Sequence, residues 1–391
     1  MNYDLNPGQR KLLDRLEEVC WDHIAPNAEE IDSKGLFPTE NLRHLGEIGL
    51  LGLLVPQEYG GLGHKALTYA AVVEEIAASC ASTALVFAMH SAATAAIVSR
   101  ANRDQAERYL RPIARGECLA TIAFSEAGSG SYFWAPSTQA VPADGGYQIR
   151  GKKTFVTSAG FADLYVVNTR TDSAKGPTDA TFFVVPKEAE GLRAAGQWNG
   201  MGLRGNHSSL LEFQDVFVAV DQRLGVEGDA FRTMREVILP LGQVGISAVN
   251  LGIARAAYDA AVDHVRKRSF SHLKDEQGLA SFQVVQHQIA DMRVGLLRMH
   301  CLMERTARLI ESGSRNLDDI ADILSLKVAA CEVVHDTVSR AMRLCGGAAF
   351  AGRHPAGRYL RDAQAGAVMA PTVEVLKDFI GKAVFGIPVE L

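Results

Sequence analysis

The chain contains 391 residues, of which 47% are hydrophobic, and it carries a formal net charge of −5. This length exceeds what a single hydrophobic core usually takes, and it predicts two or three domains. The acidic balance gives no positive field that would attract nucleic acid or an anionic membrane. Six scattered cysteines favour free thiols in a reducing cytoplasm. No apolar run is expected to span a bilayer, and the first residues lack the apolar stretch of a signal peptide.

The first predicted domain covers residues 1–115 and is helical. Asn6 followed by Pro7 marks a helix start, because asparagine caps a helix well and proline suits its first position. Apolar residues then recur at helical spacing from Leu12 to Val19. Further helices are predicted at 39–51, 66–80, 82–100 and 103–115.

The second predicted domain, residues 116–225, changes to short β-rich runs separated by glycine, aspartate and proline. Asp144-Gly145-Gly146 is a typical hairpin turn. The pattern predicts a small antiparallel β-barrel or sandwich. Strands are predicted within 119–124, 146–158, 164–170, 181–185 and 210–218.

The third predicted domain, residues 226–391, returns to helices, which are predicted at 230–268, 281–312, 317–345 and 366–385. In the second of these, apolar residues from Phe282 to Met299 recur every three or four positions. Long helices with short connections predict an antiparallel four-helix bundle. The expected fold class is therefore α+β, with an N-terminal helical domain, a middle antiparallel β-barrel domain and a C-terminal four-helix bundle.

Two short motifs could contact a ligand. FSEAGSGS at 124–131 contains glycines that allow backbone amides to approach a ligand closely, and Ser125 offers a hydroxyl. KKTFVTSAG at 152–160 has an aromatic residue two positions before Thr157 at a strand end. Alone, a strand-to-loop turn and a half-buried strand explain the two motifs equally well. The sequence contains no HExxH, paired CxxC or P-loop motif, so it predicts no metal or nucleoside triphosphate site.

Seven segments, in register over nearly the whole chain, resemble the acyl-CoA dehydrogenase family. Each segment is moderately specific, and their common order argues against chance similarity. The segments are LVPQEYGGLG (54–63), TIAFSEAGSGS (121–131), KKTFVTSAGFADLYVV (152–167), NGMGLRGNHSSLLEFQDVFV (199–218), GIARAAYDAAVDHVRKRSF (252–270) with FQVVQHQIADM (282–292), RLCGGAAF (343–350) and RYLRDA (358–363).

The resemblance implies an FAD-dependent oxidoreductase whose flavin and ligand contact a first group of positions. Phe155 would pack on the isoalloxazine ring where the family usually has tryptophan, and Thr157 would hydrogen-bond its N5 edge. Gly130 and Ser131 would lie near the pyrophosphate or the thioester ligand. The first group consists of Ile122, Phe124, Ser125, Gly130, Ser131, Phe155, Thr157 and Thr372.

A second group of positions implies that the FAD contacts two subunits. Lys267, Ser269 and Phe270 stand in the family's Arg-x-Thr/Ser-Phe pattern, which contacts the FAD of a neighbouring subunit. Lys267 keeps the positive charge but lacks the bidentate fork that grips a diphosphate. The resemblance therefore implies a homodimer or a homotetramer. The adenosine half of the FAD would be held by Gln283, Arg343, Gly346 and Gly347.

The family's reaction needs a carboxylate base, and the sequence lacks one at both positions where the resemblance puts it. The base removes an α-proton of an acyl thioester while the flavin accepts a hydride from the β-carbon. The usual position, counted from Arg361-Asp362-Ala363, is Ala370, and the alternative position on the first long bundle helix is Gly242. Glu236 and Glu374 are candidate replacement bases, and a solvated or capping carboxylate is the alternative interpretation of each.

Another departure concerns the ligand entrance. Tyr132 stands where the family commonly has aspartate, and YFW at 132–134 adds two more aromatic residues. We expect Ser131, Tyr132 and Gly242 to contact a changed substrate. An aromatic cluster at a subunit contact explains Tyr132 equally well.

The sequence leaves several functions open. The first is FAD-dependent oxidation of an acyl thioester, on CoA or a carrier protein, with a displaced or absent base and with electron-transfer flavoprotein or oxygen as acceptor. A flavin-dependent monooxygenase on the same fold would need no carboxylate, because reduced flavin and oxygen supply the oxidant. Non-oxidative thioester chemistry and a partner subunit without the catalytic glutamate are further alternatives.

Overall fold

The computed structural model describes residues 3–171, 173–271, 278–313, 316–352 and 354–387. Helical, β-rich and helical regions follow one another along the chain, as the sequence predicts. The last helix of the first region ends at Ala114, and the first strand begins at Ala120. The last strand ends at Leu224, and helices resume at Ala230.

The first region packs helices around an apolar interior. Its helices are α1 (Pro7–Val19), α2 (Ala28–Lys34), α3 (Thr39–Glu47), α4 (Ala66–Ser79), α5 (Ala81–Arg100) and α6 (Arg103–Ala114). The predicted start of α1 is confirmed, because the side chains of Asn6 and Gln9 each accept a hydrogen bond from the other's backbone amide. The helix predicted to reach residue 51 is shorter, because Gly49 takes a φ of 81° just beyond α3.

The middle region is an eight-stranded sheet of mixed direction. Its strands are β1 (Ala120–Ala123), β2 (Gln139–Ala143), β3 (Gly146–Val156), β4 (Leu164–Thr171), β5 (Ala180–Pro186), β6 (Leu192–Ala195), β7 (Ser209–Ala219) and β8 (Arg223–Leu224). Hydrogen-bonded neighbours follow the order β6-β7-β3-β2-β4-β5-β8, and β1 pairs with β4. Two pairings depart from the predicted antiparallel arrangement, because β4 runs parallel to β1 and to β2. The β2–β3 hairpin supplies the long connection that parallel β1 and β4 require.

The third region contains the predicted bundle. Its helices are α7 (Ala230–Thr233), α8 (Leu239–Lys267), α9 (Gln283–Ser312), α10 (Leu317–Phe350), α11 (Ala356–Asp362), α12 (Gln364–Val368) and α13 (Val373–Val384). The helix α10 packs against α8, α9 and α13. The last helix begins later than predicted, at Val373, where the Thr372 hydroxyl caps it by accepting a bond from the Val375 amide.

Two helical stretches are long and apolar enough to cross a membrane by length and composition alone. They are α5 and the continuous stretch Ala230–Lys267, which includes α8. In their most apolar windows, 89% and 83% of the residues are buried inside the protein. Other parts of this chain therefore cover their apolar surfaces, as they do for core helices.

Two glycines allow α4 to approach α8 closely. A Cβ atom at Gly245 would lie 2.3 Å from the hydroxyl oxygen of Tyr69. A Cβ atom at Gly252 would lie 2.4 Å from the carbonyl oxygen of Glu74. Because the second obstacle is backbone, the two helices could not keep this separation with a larger residue at Gly252.

Glu74 joins α4 to α8, to α9 and to the chain before α1 through a buried ionic network. Its carboxylate accepts a 2.6 Å bond from the Tyr3 hydroxyl and lies 3.0 Å from Nε2 of His300 on α9. Arg255 on α8 lies 3.5 Å from the same carboxylate. Burial raises the pKa of Glu74, but the bond to His300 and the charge of Arg255 outweigh it, and the net pKa is lowered. The paired carboxylate therefore remains ionised inside the protein.

Replacement of Glu74 by alanine is expected to lower the free energy of unfolding by about 3 kcal/mol, because it leaves the buried His300 ring and Arg255 charge without this carboxylate. Chemical denaturation followed by circular dichroism measures the loss. The matched control is Glu117→Ala, since Glu117 pairs with Arg115 at the surface, where such a pair contributes about 0–1 kcal/mol. Equal losses in the two variants would contradict this structural role of Glu74.

Candidate active site

A cavity of about 600 Å³ lies where the three regions meet. Its walls come from α5, the loop after β1, β3, the segment before β7, the start of α8 and the chain around α12. Most of the side chains that line it are apolar. Among the described lining residues, the one carboxylate is Glu126, and no lysine, arginine or histidine occurs.

Glu126 is tied into a buried ion pair beside the cavity. Lys153, which has no exposed side-chain surface, donates a 2.7 Å bond to Glu126 and a 3.2 Å bond to the carbonyl of Phe124. Glu126 also accepts bonds from the amides of Ser137 and Thr138 and from the Ser137 hydroxyl. Burial raises the pKa of Glu126, but the Lys153 charge and these bonds lower it to about 2. Burial dominates at Lys153 and lowers its pKa to about 8, which still leaves it charged at neutral pH.

A bulge in β3 turns Phe155 towards the cavity. The register of β3 on β7 shifts between Lys153 and Val156. Phe155 takes a φ of 53°, a conformation that bulky residues rarely adopt. Its side chain lines the cavity and is 70% exposed. Backbone strain and an exposed aromatic ring at one residue are typical of a ligand-binding position.

A buried lysine fixes the opposite wall. The ammonium of Lys327 on α10 donates bonds of 2.7 Å to the carbonyl oxygens of Met369 and Pro371. These carbonyls flank Ala370, which lines the cavity. Burial lowers the pKa of Lys327 to about 8. The backbone on both sides of Ala370 is therefore held in place although Ala370 carries no functional group.

The structure brings the first group of predicted positions together. The Ser131 hydroxyl accepts a 3.1 Å bond from the Thr372 amide and so joins the loop after β1 to the start of α13. The Thr157 hydroxyl lies 3.0 Å from that of Ser208. The predicted residues that line the cavity are Ile122, Phe124, Ser125, Gly130, Ser131, Phe155, Thr157, Gly242 and Thr372, and Ala370 lines it with them.

The second group lies at a different place, the end of the bundle where α8 and α10 terminate. Lys267 pairs with Asp263 at 2.7 Å. Phe270 packs edge-on against Phe282, which precedes Gln283 at the start of α9. Farther along the chain, the Arg343 guanidinium donates to the Ser339 hydroxyl, Gly346 breaks the helical geometry of α10 and Gly347 follows it. Ser269 forms a β-bridge with Gly278. None of these described residues lines the cavity.

Three further predicted site residues also lie outside the cavity. Glu236 lies 3.9 Å from Arg100 and 3.4 Å from Arg235 and does not line the cavity. Glu374 lies exposed in the first turn of α13. The ring of Tyr132 packs edge-on against Trp134, with centroids 5.3 Å apart, and so does not contribute to the lining.

Comparisons with known proteins agree with this geometry. Residues 6–117 match the family model "Acyl-CoA dehydrogenase, N-terminal domain". Residues 121–216 and 230–385 match the family models of the acyl-CoA dehydrogenase middle domain and C-terminal domain, respectively. The short-chain specific acyl-CoA dehydrogenase of Clostridium acetobutylicum is 30% identical over 98% of this chain and 100% of its own length. The chain belongs to the acyl-CoA dehydrogenase family.

Other members of the acyl-CoA dehydrogenase family match over similar lengths. The cyclohex-1-ene-1-carbonyl-CoA dehydrogenase of Geobacter metallireducens is 31% identical over 97% of this chain and 98% of its own length. The solved structure of butyryl-CoA dehydrogenase from Megasphaera elsdenii gives a TM-score of 0.92 with 28% identity, over 98% of this chain and 100% of that one. Like its family, the chain is an oxidoreductase that acts on CH–CH bonds with FAD as cofactor.

The residues around the cavity fit such a cofactor. The buried hydroxyl of Thr154 lines the cavity and has no hydrogen-bond partner among the described residues, so it is available to a ligand. A Cβ atom at Gly130 would meet nothing within 4 Å, which leaves space beside the loop after β1. Phe155 presents an aromatic face to the same space. Hydroxyl groups and an aromatic ring suit the polar edge and flat face of an isoalloxazine.

Replacement of Lys153 by methionine is expected to shift the acid unfolding transition to higher pH and to weaken FAD retention. The lowered pKa of Glu126 contributes stability above the ordinary glutamate pKa of 4.5, and this contribution is lost as the pH falls towards about 2. Without the Lys153 charge the pKa of Glu126 rises, so the loss begins at higher pH. Circular dichroism against pH and the flavin absorbance of purified protein measure the two effects.

Lys152→Met is the matched control for this variant. Lys152 is the preceding residue of β3, and its side chain is 67% exposed, where it pairs with Glu212. We expect its acid transition and its flavin content to match the wild type, because exposed ion pairs contribute little. If Lys152→Met and Lys153→Met behave alike, the buried pair does not organise the cavity.

Replacement of Phe155 by glycine is expected to weaken FAD binding about tenfold while leaving the stability of the FAD-free protein nearly unchanged. The lost ring contact accounts for the weaker binding. Glycine adopts a φ of 53° without strain, and this relief offsets its larger conformational entropy. FAD titration of the apoprotein and its thermal midpoint measure the two quantities. A large drop in the thermal midpoint would show that Phe155 is structural.

Proposed function

We propose that the chain binds an acyl thioester, carried on CoA or a carrier protein, beside FAD in the cavity, and that the cavity supplies no carboxylate base. The observation that carries this proposal is the composition of the lining. Glu126, the one carboxylate among the described lining residues, is already paired with Lys153 and accepts three further hydrogen bonds. Ala370 and Gly242, where the resemblance puts a base, carry no ionisable group.

The two sides of the cavity would hold the cofactor and the substrate. FAD supplies a hydride acceptor when it is bound. Phe155 and Thr157 on the β-rich side would contact its ring system, together with the backbone near Ser125. Ser131 and Thr372, which hydrogen-bond each other across the cavity rim, would position the thioester end of the substrate. Space left by the missing side chain at Gly242, where a Cβ would meet nothing within 4 Å, would receive part of the acyl group.

The acyl group itself would be uncharged. The helices α5 and α8 line the cavity with apolar side chains, which include Met89, Ala92, Leu239 and Ile246. An ionised acyl group would need a partner there, because burial of an unpaired charge is costly. The described lining residues offer no cation.

A subunit contact would complete the FAD site. The second group of predicted positions lies away from the cavity. These residues would therefore hold the adenosine half of the FAD that belongs to a neighbouring subunit, in a homodimer or homotetramer. Exposed apolar residues on α9, which include Val284, Val294 and Leu297, support a protein contact near that end of the bundle.

An electron-transfer flavoprotein would be the electron acceptor, with oxygen as the alternative. A chain of the solved structure described as "Electron transferring flavoprotein of Acidaminococcus fermentans: Towards a mechanism of flavin-based electron bifurcation" is similar to this one, with a TM-score of 0.92 and 28% identity over 98% of this chain and 99% of that one. Such electron transfer fits an enzyme in the cytoplasm, which is the compartment that the scattered cysteines favour.

Installing the missing carboxylate tests the proposal. We expect Ala370→Glu to accelerate anaerobic flavin bleaching by a saturated, uncharged acyl-CoA by about 10²- to 10⁴-fold, because a positioned general base contributes about this much. The wild type would bleach slowly, since water is a weak acceptor for the α-proton. Stopped-flow absorbance of the flavin band measures both rates. Gly242→Glu tests the second position in the same way.

The two carboxylates outside the cavity serve as controls. Glu236→Gln and Glu374→Gln are expected to keep the wild-type bleaching rate. If either variant slows bleaching, that residue reaches the substrate, and the proposal that the cavity supplies no carboxylate base is wrong. Fast bleaching by the wild type with no gain in Ala370→Glu would also overturn it. If the holoprotein instead binds the acyl-CoA without bleaching in any variant, dehydrogenation is not its reaction.

A further inference from the structure

Three side chains of metal-ligand type meet at the end of the bundle, away from the cavity. His264 lies in the last turn of α8, Cys345 lies near the end of α10, and His354 lies between α10 and α11. Their potential ligand atoms all lie within 4.8 Å of one another. Sγ of Cys345 is 3.7 Å from Nε2 of His354. We propose that His264, Cys345 and His354 form a binding site for a zinc-type divalent cation, with water as the fourth ligand.

The distance between Cys345 and His354 is close to that which a tetrahedral ion requires. With Zn–S near 2.3 Å and Zn–N near 2.0 Å, tetrahedral sulfur and nitrogen ligands lie roughly 3.5 Å apart. The observed 3.7 Å between Cys345 and His354 differs from this by a few tenths of an ångström. The rings of His264 and His354 are inclined at 80° with centroids 5.6 Å apart, so they are not stacked and can direct nitrogens to one point.

The backbone around Cys345 brings the ligands together. Gly346 directly follows it with φ 54° and ψ −134°, which interrupts α10. This conformation is open to glycine and costly for other residues. His354, nine positions farther along the chain, lies beside Cys345. The site joins residues far apart in sequence, which is why motif spacing did not reveal it.

The ligand set selects a particular class of ion. A thiolate with two imidazoles suits zinc and its neighbours cobalt and nickel, whereas magnesium and calcium require oxygen ligands. Burial lowers the pKa of His354, which favours the neutral ring that binds a metal. Burial raises the pKa of Cys345 to about 11, so the thiol is protonated until an ion binds.

Ion binding releases one proton and moves another. The Cys345 thiol releases its proton to solvent as the Sγ–metal bond forms. Nδ1 of His354 accepts a 3.2 Å bond from the Ala356 amide, so its ring proton is on Nε2 before binding. Coordination through Nε2 moves this proton to Nδ1, so the ring gives up its hydrogen bonds with the backbone at Ala356 and Ala260 as the site forms three coordination bonds. Each bound ion therefore releases about one proton to the buffer.

The bound ion would connect α8 and α10 to the start of α11. Asp362 at the end of α11 accepts a 2.7 Å bond from the amide of Leu203, which lines the cavity. The ion thus stiffens a part of the chain that reaches the cavity, without contributing a group to the lining. Because only the folded chain assembles the three ligands, ion binding raises the thermal midpoint.

Cobalt titration of the chelator-treated, FAD-loaded protein tests the site. We expect one Co²⁺ per chain, with tetrahedral ligand-field bands at wavelengths beyond the flavin absorption, displaced by Zn²⁺ and unaffected by Mg²⁺. Cys345→Ala and His354→Gln are expected to weaken binding at least 100-fold and to abolish the bands. Calorimetry in buffers of different ionisation enthalpy is expected to give about one proton released per ion.

The control is Cys301→Ala, which removes the exposed thiol on α9 and is expected to keep both the stoichiometry and the bands. The flavin spectrum of each variant reports whether the protein remains folded. Unchanged Co²⁺ affinity in a folded Cys345→Ala protein would overturn the proposal. Loss of the bands in Cys301→Ala, or octahedral bands in the wild type, would overturn it as well.

Discussion

The close contact between α4 and α8 is the constraint on which the rest of the structure depends. Gly252 has no room for a Cβ atom, because the carbonyl of Glu74 would lie 2.4 Å away. At the same point the Glu74 carboxylate contacts Arg255 on α8, His300 on α9 and Tyr3, which precedes α1. Apolar packing alone tolerates small shifts between helices, whereas a buried ionic network has few satisfactory arrangements. The N-terminal region is therefore held in one orientation on the bundle, and the α5 and α8 walls of the cavity are held with it.

The cavity is organised by charges that take no direct part in its chemistry. On the β-rich side, Lys153 and Glu126 hold the loop after β1 against β3. On the bundle side, Lys327 holds both carbonyls that flank Ala370. Each ammonium is desolvated, and burial lowers both pKa values to about 8, so each is stable only with its oxygen partners in place. The polar framework thus sits behind an apolar lining, which suits a site where water must be excluded.

Much of the fold and part of the site could be predicted from the sequence, for reasons that particular residues show. Asn6 and Pro7 are local signals, and α1 starts as they indicate. The parallel pairing of β4 with β1 and β2 is a non-local choice that alternation within a strand cannot report. Alternation in β3 does put Lys153 on the same face as buried Ile149, and this signal could have identified the buried cation. The partner of Lys327 lies on another element, so no pattern around position 327 predicts it.

Hydrogen bonds hold the backbone around Ala370, the position at which the family's carboxylate is missing. Two bonds from Lys327 fix the backbone around Ala370, and the bond between Ser131 and Thr372 closes the rim beside it. Because these polar groups satisfy one another within the protein, the wall keeps its shape without a functional side chain at position 370. The chemistry then depends on how readily the substrate itself gives up its α-proton, since a positioned base contributes about 10²- to 10⁴-fold and this lining provides none.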